Sequence, residues 1–403
     1  MRRGWETKKI GEVCHLMTGG TPSRAKSEYF GGDIRWLVSG DIHQGEIFDC
    51  EGRITEAGMK NSNAKLLPVN SVMIALNGQG KTRGTVALLR TRATCNQSLV
   101  SIYPHDPEKL MPEFLYANLH GRYQEIRQMT GDTGNDRRGL NMILINGIEI
   151  PIAPMREQQR IVRLLDEAFE QVRAAKMNAE KNLQNTHALF ESYLQSVFTQ
   201  QGKGWVNKQL GEIADFKNGL NFNQRSSGQT VQVVGVGDFQ NNYVVPMSGL
   251  HSATIDGDLE ENYEIRENDI LTVRSNGSKD LVGRCMLVPE VSGPISYSGF
   301  IIRIRFDASA VVPRFLLHFM KCSETRAQLT RDGGGANISN INQGKLSSLI
   351  VPLPSLTSQQ EIADVSDRLL ADTDSFAGIY ERKVAALEAL KNSLMHKAFS
   401  GDL

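Results

Sequence analysis

The chain has 403 residues, with 45 basic and 45 acidic side chains and a formal charge of zero, which is long enough for two or three domains that each bury a core. Apolar residues at 40% and charged residues at 22% exclude global disorder, and neutrality means that binding to a polyanion would have to rest on local clusters. Five scattered cysteines (Cys14, Cys50, Cys95, Cys285, Cys322) without a C-x-x-C pair argue against a disulfide scaffold or a cysteine zinc site and fit a reducing cytoplasm.

In chain order, Met1-Arg2-Arg3-Gly4-Trp5 carries charge but no apolar stretch behind it, so no signal peptide is expected. Residues 1–155 are rich in glycine, and the runs Ser71–Leu76 and Gln97–Ile102 read as short buried strands between turns. Pro112 opens a predicted helix through Phe114, Leu115, Ala117, Asn118 and Leu119. From Glu157 to Thr199 neither proline nor glycine occurs, and apolar residues recur at Ile161, Leu165, Val172, Ala175, Ala179, Leu183, Leu189, Tyr193 and Val197. Such a run predicts a helical rod of roughly 43 residues and about 64 Å. A rod of that length needs a partner helix.

Residues 201–357 repeat the first pattern, with strands expected at Val231–Val234, Asp269–Val273 and Phe300–Phe306. A second rod is expected over 358–403, with Ser358 as its N-cap and Gly378 as the candidate kink. No window approaches 18 uninterrupted apolar residues, so no membrane span is expected.

The halves match block by block. Gly4-Trp5, Lys8, Gly11-Glu12 and Gly19 return as Gly204-Trp205, Lys208, Gly211-Glu212 and Gly219. Gly40-Asp41-Ile42 returns as Gly237-Asp238-Phe239, and Asn77-Gly78 with Gly84 as Asn276-Gly277 with Gly283. Pro112–Leu115 matches Pro313–Leu316, and Ile150-Pro151-Ile152 before Gln158-Gln159 matches Val351-Pro352-Leu353 before Gln359-Gln360. Leu189, Ser192 and Phe198 stand against Leu390, Ser393 and Phe399. The chain is a tandem duplication. The reading is of two α/β (mixed α+β) domains, 1–155 and 201–357, with helical segments 156–200 and 358–403 pairing as an antiparallel coiled coil. Two similar lobes on paired rods make a ruler suited to a split DNA site; the competing reading is a coiled-coil scaffold that binds only proteins.

Catalytic motifs are missing. Gly80-Lys81-Thr82 resembles the end of a phosphate-binding loop, but Ala75 stands where that loop requires glycine. There is no H-E-x-x-H, no G-x-S-x-G and no Asn-Pro-Pro-Tyr or Asp-Pro-Pro-Tyr. Base readout needs Arg, Asn or Gln on exposed loops, and glycine beside them lets backbone approach phosphate. In the first half the candidates are Thr21, Ser23, Arg24 and Lys26, then Asn77, Gln79, Lys81 and Arg83, then Asn135, Arg137 and Arg138. In the second they are Asn221, Asn223, Gln224 and Arg225, then Arg274, Asn276, Ser278 and Lys279, then Asn337. The acidic stretch Asp256–Asp269 reads as a solvated face, and Phe190, Tyr193 and Phe376 as seam or partner-contact positions.

These features together resemble the specificity subunit of type I restriction-modification systems. The residues that carry the resemblance are Trp5–Glu12 and Trp205–Glu212, Thr21-Pro22-Ser23, Ile150–Val162, Val351–Pro354 with Gln359-Gln360, and Ser393–Gly401. The second junction departs from the family pattern, since Ser355-Leu356-Thr357-Ser358 replaces its usual acidic run. The resemblance implies a non-catalytic chain with two target-recognition domains, each binding one part of a bipartite double-stranded DNA site. It implies helices that set the spacer and dock two modification (methyltransferase) subunits, to which restriction subunits add. No cofactor is implied on this chain; S-adenosylmethionine, ATP and Mg belong to the partner subunits. A cytoplasmic location follows.

Overall fold

The computed structural model describes residues 4–78, 80–130, 139–222, 226–240, 242–278, 280–307, 309–331 and 340–400. The chain divides into two units, Met1–Ala179 with Arg382–Leu403, and Glu180–Glu381. The two rods are helices Met155–Thr199 and Leu356–Ser400, the second running unbroken through Gly378. It begins earlier than expected. Ser355, not Ser358, is the cap, because the Ser355 Oγ accepts the Ser358 N–H at 3.3 Å.

The first unit is built on a five-stranded sheet in the order Cys14–Thr18, Leu99–Pro104, Val72–Ala75, Val86–Leu89, Glu46–Ile47, antiparallel except at its last pair. Its central strands are apolar without interruption because both faces are covered, and alternate residues serve different cores. Val72, Ile74, Val86, Leu88, Val100 and Ile102 pack with Phe114, Leu115 and Leu119 of helix Pro112–Gly121. Met73, Ala75, Ala87, Leu89 and Leu99 pack instead with Leu37, Ile42 and Ile47. A smaller sheet joins Arg53–Ile54, Phe30–Leu37 and Thr94–Cys95. Strands Glu6–Lys9 and Glu149–Ile152 pair antiparallel at the entrance to the long helix.

The start of the first long helix (Ile161, Val162, Leu165) and the end of the second (Met395, Ala398) enter the same core. They run antiparallel, since Lys176 pairs with Glu388 at 2.5 Å while Lys391 lies over the Phe169 ring. Phe399 meets Phe114 edge-on at 5.3 Å, and Trp5 meets the same ring at 6.3 Å.

The second unit has a four-stranded antiparallel sheet, Ala214–Asn218, Ile301–Phe306, Ile270–Val273 and Cys285–Leu287. Alternation divides it as before: Ile270, Cys285, Ile302 and Ile304 face Phe315 and Leu316, whereas Leu271, Val273, Met286 and Ile301 face Phe239 and Tyr297. A three-stranded sheet joins His251–Thr254, Thr230–Val234 and Ile295–Tyr297, and Val206–Gln209 pairs with Ile350–Leu353. Here the end of the first long helix supplies the lid: Phe198 meets Phe315 at 5.4 Å and Phe319 at 5.3 Å, and Trp205 meets Phe315 at 6.3 Å.

A further expectation is corrected. The acidic stretch is not wholly solvated, because Asp269 is buried and takes two hydrogen bonds from the Arg305 guanidinium, both 2.7 Å. On the long helices, Phe190 is buried and Tyr193 packs against the core of the second unit, whereas Phe376 is exposed, as are Leu189, Ile379 and Leu390. Apolar spacing alone does not tell which of two adjacent helix faces is covered.

Candidate nucleic-acid interface

Two of the candidate loops of the first unit, those holding Thr21 and Asn77, meet at one end of its main sheet. Strand Cys14–Thr18 ends where Leu99–Pro104 begins and Val72–Ala75 ends, as the register Thr18↔Val100 and Ala75↔Leu99 requires. Gly19 follows, and only glycine fits there: an added Cβ would stand 1.8 Å from the Cys95 carbonyl oxygen. The Thr21 hydroxyl then donates to Gln97 Oε1 at 2.6 Å. The Leu76 N–H bonds to the Ser98 carbonyl at 2.9 Å, and the Gly84 N–H returns to Ala75 at 2.9 Å, closing the loop that holds Asn77 and Lys81. Leu140 is anchored at the same point, its N–H on the Leu76 carbonyl at 2.9 Å.

The second unit builds the same junction. Leu220 N–H bonds to Tyr297 at 2.9 Å, Arg274 N–H to Phe300 at 2.9 Å, Gly283 N–H to Val273 at 2.9 Å and Ile341 N–H to Arg274 at 2.8 Å. Asn221 lies against Gly299, where a Cβ would fall 2.1 Å from the Asn221 Oδ1. Asn276 Oδ1 accepts the Ser278 N–H at 2.8 Å, setting the turn that presents both.

Ser23, Arg24, Lys26, Asn77, Lys81, Asn221 and Ser278 are exposed, while Thr21, Arg274 and Asn276 are half-buried. Lys26 Nζ reaches the Tyr29 hydroxyl at 3.1 Å, and that bond raises the Lys26 pKa. Arg83 departs from expectation, since it is buried and not displayed. Gln79, Asn135, Arg137, Arg138, Asn223, Gln224, Arg225, Lys279 and Asn337 lie outside the described residues.

Sequence reasoning missed the residues that hold these loops. Arg127 Nη1 donates to the Gly80 carbonyl at 2.5 Å and to the Tyr123 hydroxyl at 2.8 Å, and Tyr123 Oη donates to the Lys81 carbonyl at 3.0 Å. Arg326 Nε donates to the Val282 carbonyl at 3.1 Å and its Nη2 to the Asp280 carbonyl, which also receives Arg284 Nε at 2.9 Å. Burial, then the neighbouring Arg284, lowers the Arg326 pKa. The signal was present in the repeat, because Arg127 and Arg326 are separated by the same interval as Gly84 and Gly283. A solitary arginine on a short helix carried no motif to prompt that comparison. Phe300, which is 61% exposed at the second junction, was also read only as part of a strand.

Among the described residues no group of three or more His, Cys, Asp and Glu is placed to hold a metal ion. No described helix is long and apolar enough to cross a membrane.

Residues 2–183 and 202–382 each match the type I restriction modification DNA specificity domain. The chain belongs to that family. Over 414 residues this specificity-family chain is 23% identical to the type I restriction enzyme StySPI specificity subunit of Salmonella potsdam, covering 99% of this chain and 89% of the relative. It is 31% identical over 163 residues to the EcoR124I/EcoR124II specificity subunit of Escherichia coli, 40% of each chain. Its fold is similar to that of a chain from a study of complex assembly and conformational transition in the type I R-M system, with TM-score 0.80, 18% identity, and coverage of 100% of this chain and 99% of that one. The HsdS subunit from Thermoanaerobacter tengcongensis aligns over 100% of this chain and 98% of its own, with TM-score 0.63 and 19% identity. The tandem arrangement of this family member, with mixed α/β lobes and two long helices, agrees with these relatives.

Proposed function

We propose that this chain is the DNA-reading component of a type I restriction-modification complex, with each unit reading one part of a bipartite double-stranded site. One observation carries the reading: the same loop junction, at the same end of the main sheet, is built twice from diverged residues. Thr21 and Asn77 stand at one junction, and Asn221, Arg274 and Asn276 at the other. A duplicated scaffold with unlike polar side chains at equivalent points is what recognition of two unlike tracts requires.

The chain itself carries out no chemistry in this reading. Two modification subunits supply methyl transfer with S-adenosylmethionine, and restriction subunits bound through them use ATP and Mg, all in the cytoplasm. The long helices set the gap between the tracts and offer Leu189, Phe376, Ile379 and Leu390 as apolar contacts for the modification subunits.

The test is selection of sites from random double-stranded DNA by the chain assembled with its modification subunits. Two defined tracts separated by a fixed unspecified gap are expected. Enrichment of no sequence, or of one continuous tract, would overturn the reading.

A further inference from the structure

An arginine at the edge of a DNA-reading surface is ordinarily assigned to a phosphate. Arg127 and Arg326 instead direct donors to loop carbonyls of their own units. Arg127 takes the Gly80 carbonyl and the hydroxyl of Tyr123, which in turn holds the Lys81 carbonyl. Thr85 Oγ1 adds a second donor to the Lys81 carbonyl at 2.6 Å, and Thr82 Oγ1 contacts His43 Nε2 at 3.0 Å. In the second unit Arg326 bridges the carbonyls of Asp280 and Val282, and Arg284 ties Asp280 to the Gln240 carbonyl.

Both loops leave through a glycine with positive φ, Gly84 at +81° and Gly283 at +79°, seated on the helix that carries the arginine. A Cβ on Gly283 would lie 3.2 Å from Arg326 Cγ, and one on Gly84 3.8 Å from the Arg127 backbone nitrogen. A guanidinium has five donors in a rigid fork, so one side chain fixes two acceptors in relation to each other. Holding loop carbonyls inward removes partial negative charge from the face that would meet phosphate and leaves side chains such as Lys81 and Ser278 outermost.

We propose that Arg127 and Arg326 are positioning residues, each fixing the backbone of the base-reading loop in its own unit without touching DNA. The inference rests on the DNA-reading function proposed above and deepens it by separating residues that read from residues that hold the reader in place.

The experiment uses the full complex with modification subunits and a DNA library randomised in both tracts, and records base preference in each tract and the salt dependence of binding. Arg127→Lys and Arg326→Lys keep the charge but lose the fork, and Tyr123→Phe removes a single hydroxyl, so the test survives should either arginine variant fold poorly. Arg127→Lys and Tyr123→Phe should each lose roughly tenfold in base discrimination within one tract, about 1.4 kcal/mol, with the other tract unchanged. Arg326→Lys should do the reverse, and the salt slope should stay at its wild-type value in all three.

Unaltered discrimination overturns the proposal, as does equal loss in both tracts. For an arginine that contacts phosphate, Arg127→Met or Arg326→Met would weaken all sequences alike and lower the salt slope by about one; that result also overturns it. A wild-type complex that enriches no sequence sinks the DNA-reading function itself, and this inference with it.

Discussion

Gln158 Oε1 accepts the backbone N–H of Met111 at 2.9 Å while its Nε2 donates to the carbonyls of Ala153 at 2.7 Å and Lys109 at 2.8 Å. Gln359 repeats this in the second unit, accepting the Val312 N–H at 2.9 Å and donating to the Pro354 carbonyl at 3.0 Å. Both side chains are buried, and each joins the start of a long helix to the helix that covers the main sheet. The first glutamine of each Gln-Gln pair is therefore an architectural residue. Gln158→Ala or Gln359→Ala leaves buried backbone groups unsatisfied and should cost its unit about 2–3 kcal/mol, seen as a lowered calorimetric transition.

The buried Asp269 carboxylate binds Arg305 through two bonds and also accepts the Arg266 N–H at 2.7 Å. Asp269→Ala strands a partly covered guanidinium and an inward N–H. The second unit should lose about 2 kcal/mol, measured by chemical denaturation, whereas the exposed Asp258→Ala should change stability by less than about 0.5 kcal/mol.

His318 is buried, with Nε2 at 2.6 Å from Asp367 Oδ1. Burial lowers its pKa, as do Lys321 and Arg314, and Asp367 opposes them. The folded state thus favours the neutral ring, while the unfolded chain takes up a proton near pH 6.5. This contribution is complete above that pH and is lost as the pH falls below it. Thermal unfolding at pH 7.5 and 5.5 should show a smaller acid loss in His318→Gln than in the wild type.

Lys81 is exposed on a loop whose carbonyls are tied inward. As a phosphate contact it should act on specific and random DNA alike. Lys81→Ala should weaken both severalfold and lower the salt slope by about one, measured by fluorescence anisotropy across salt concentrations.

Strand positions, helix rods and the twofold repeat were legible because each depends on local periodicity or on comparing the chain with itself. Val72–Ala75 and Ile270–Val273 are buried on both faces and read as apolar runs; the long helices lack breakers except Gly378. What escaped was set by tertiary geometry. Nothing near Arg83 says that its side chain turns inward while that of Lys81 stays outside, and Asp269 lies among solvated carboxylates until Arg305, 36 residues later, covers it. The candidate surface was legible as loops. The arginines beneath it were not, since their partners are backbone carbonyls, which every residue has.

Phe399 closes on Phe114, yet 284 residues lie between them in the chain. During synthesis the first unit must wait with that aromatic face open until the last helix leaves the ribosome, while every residue of the second unit, Glu180–Glu381, has by then been made. The half translated first is the half completed last, and synthesis cut short before Phe399 would leave the leading lobe with that aromatic face uncovered.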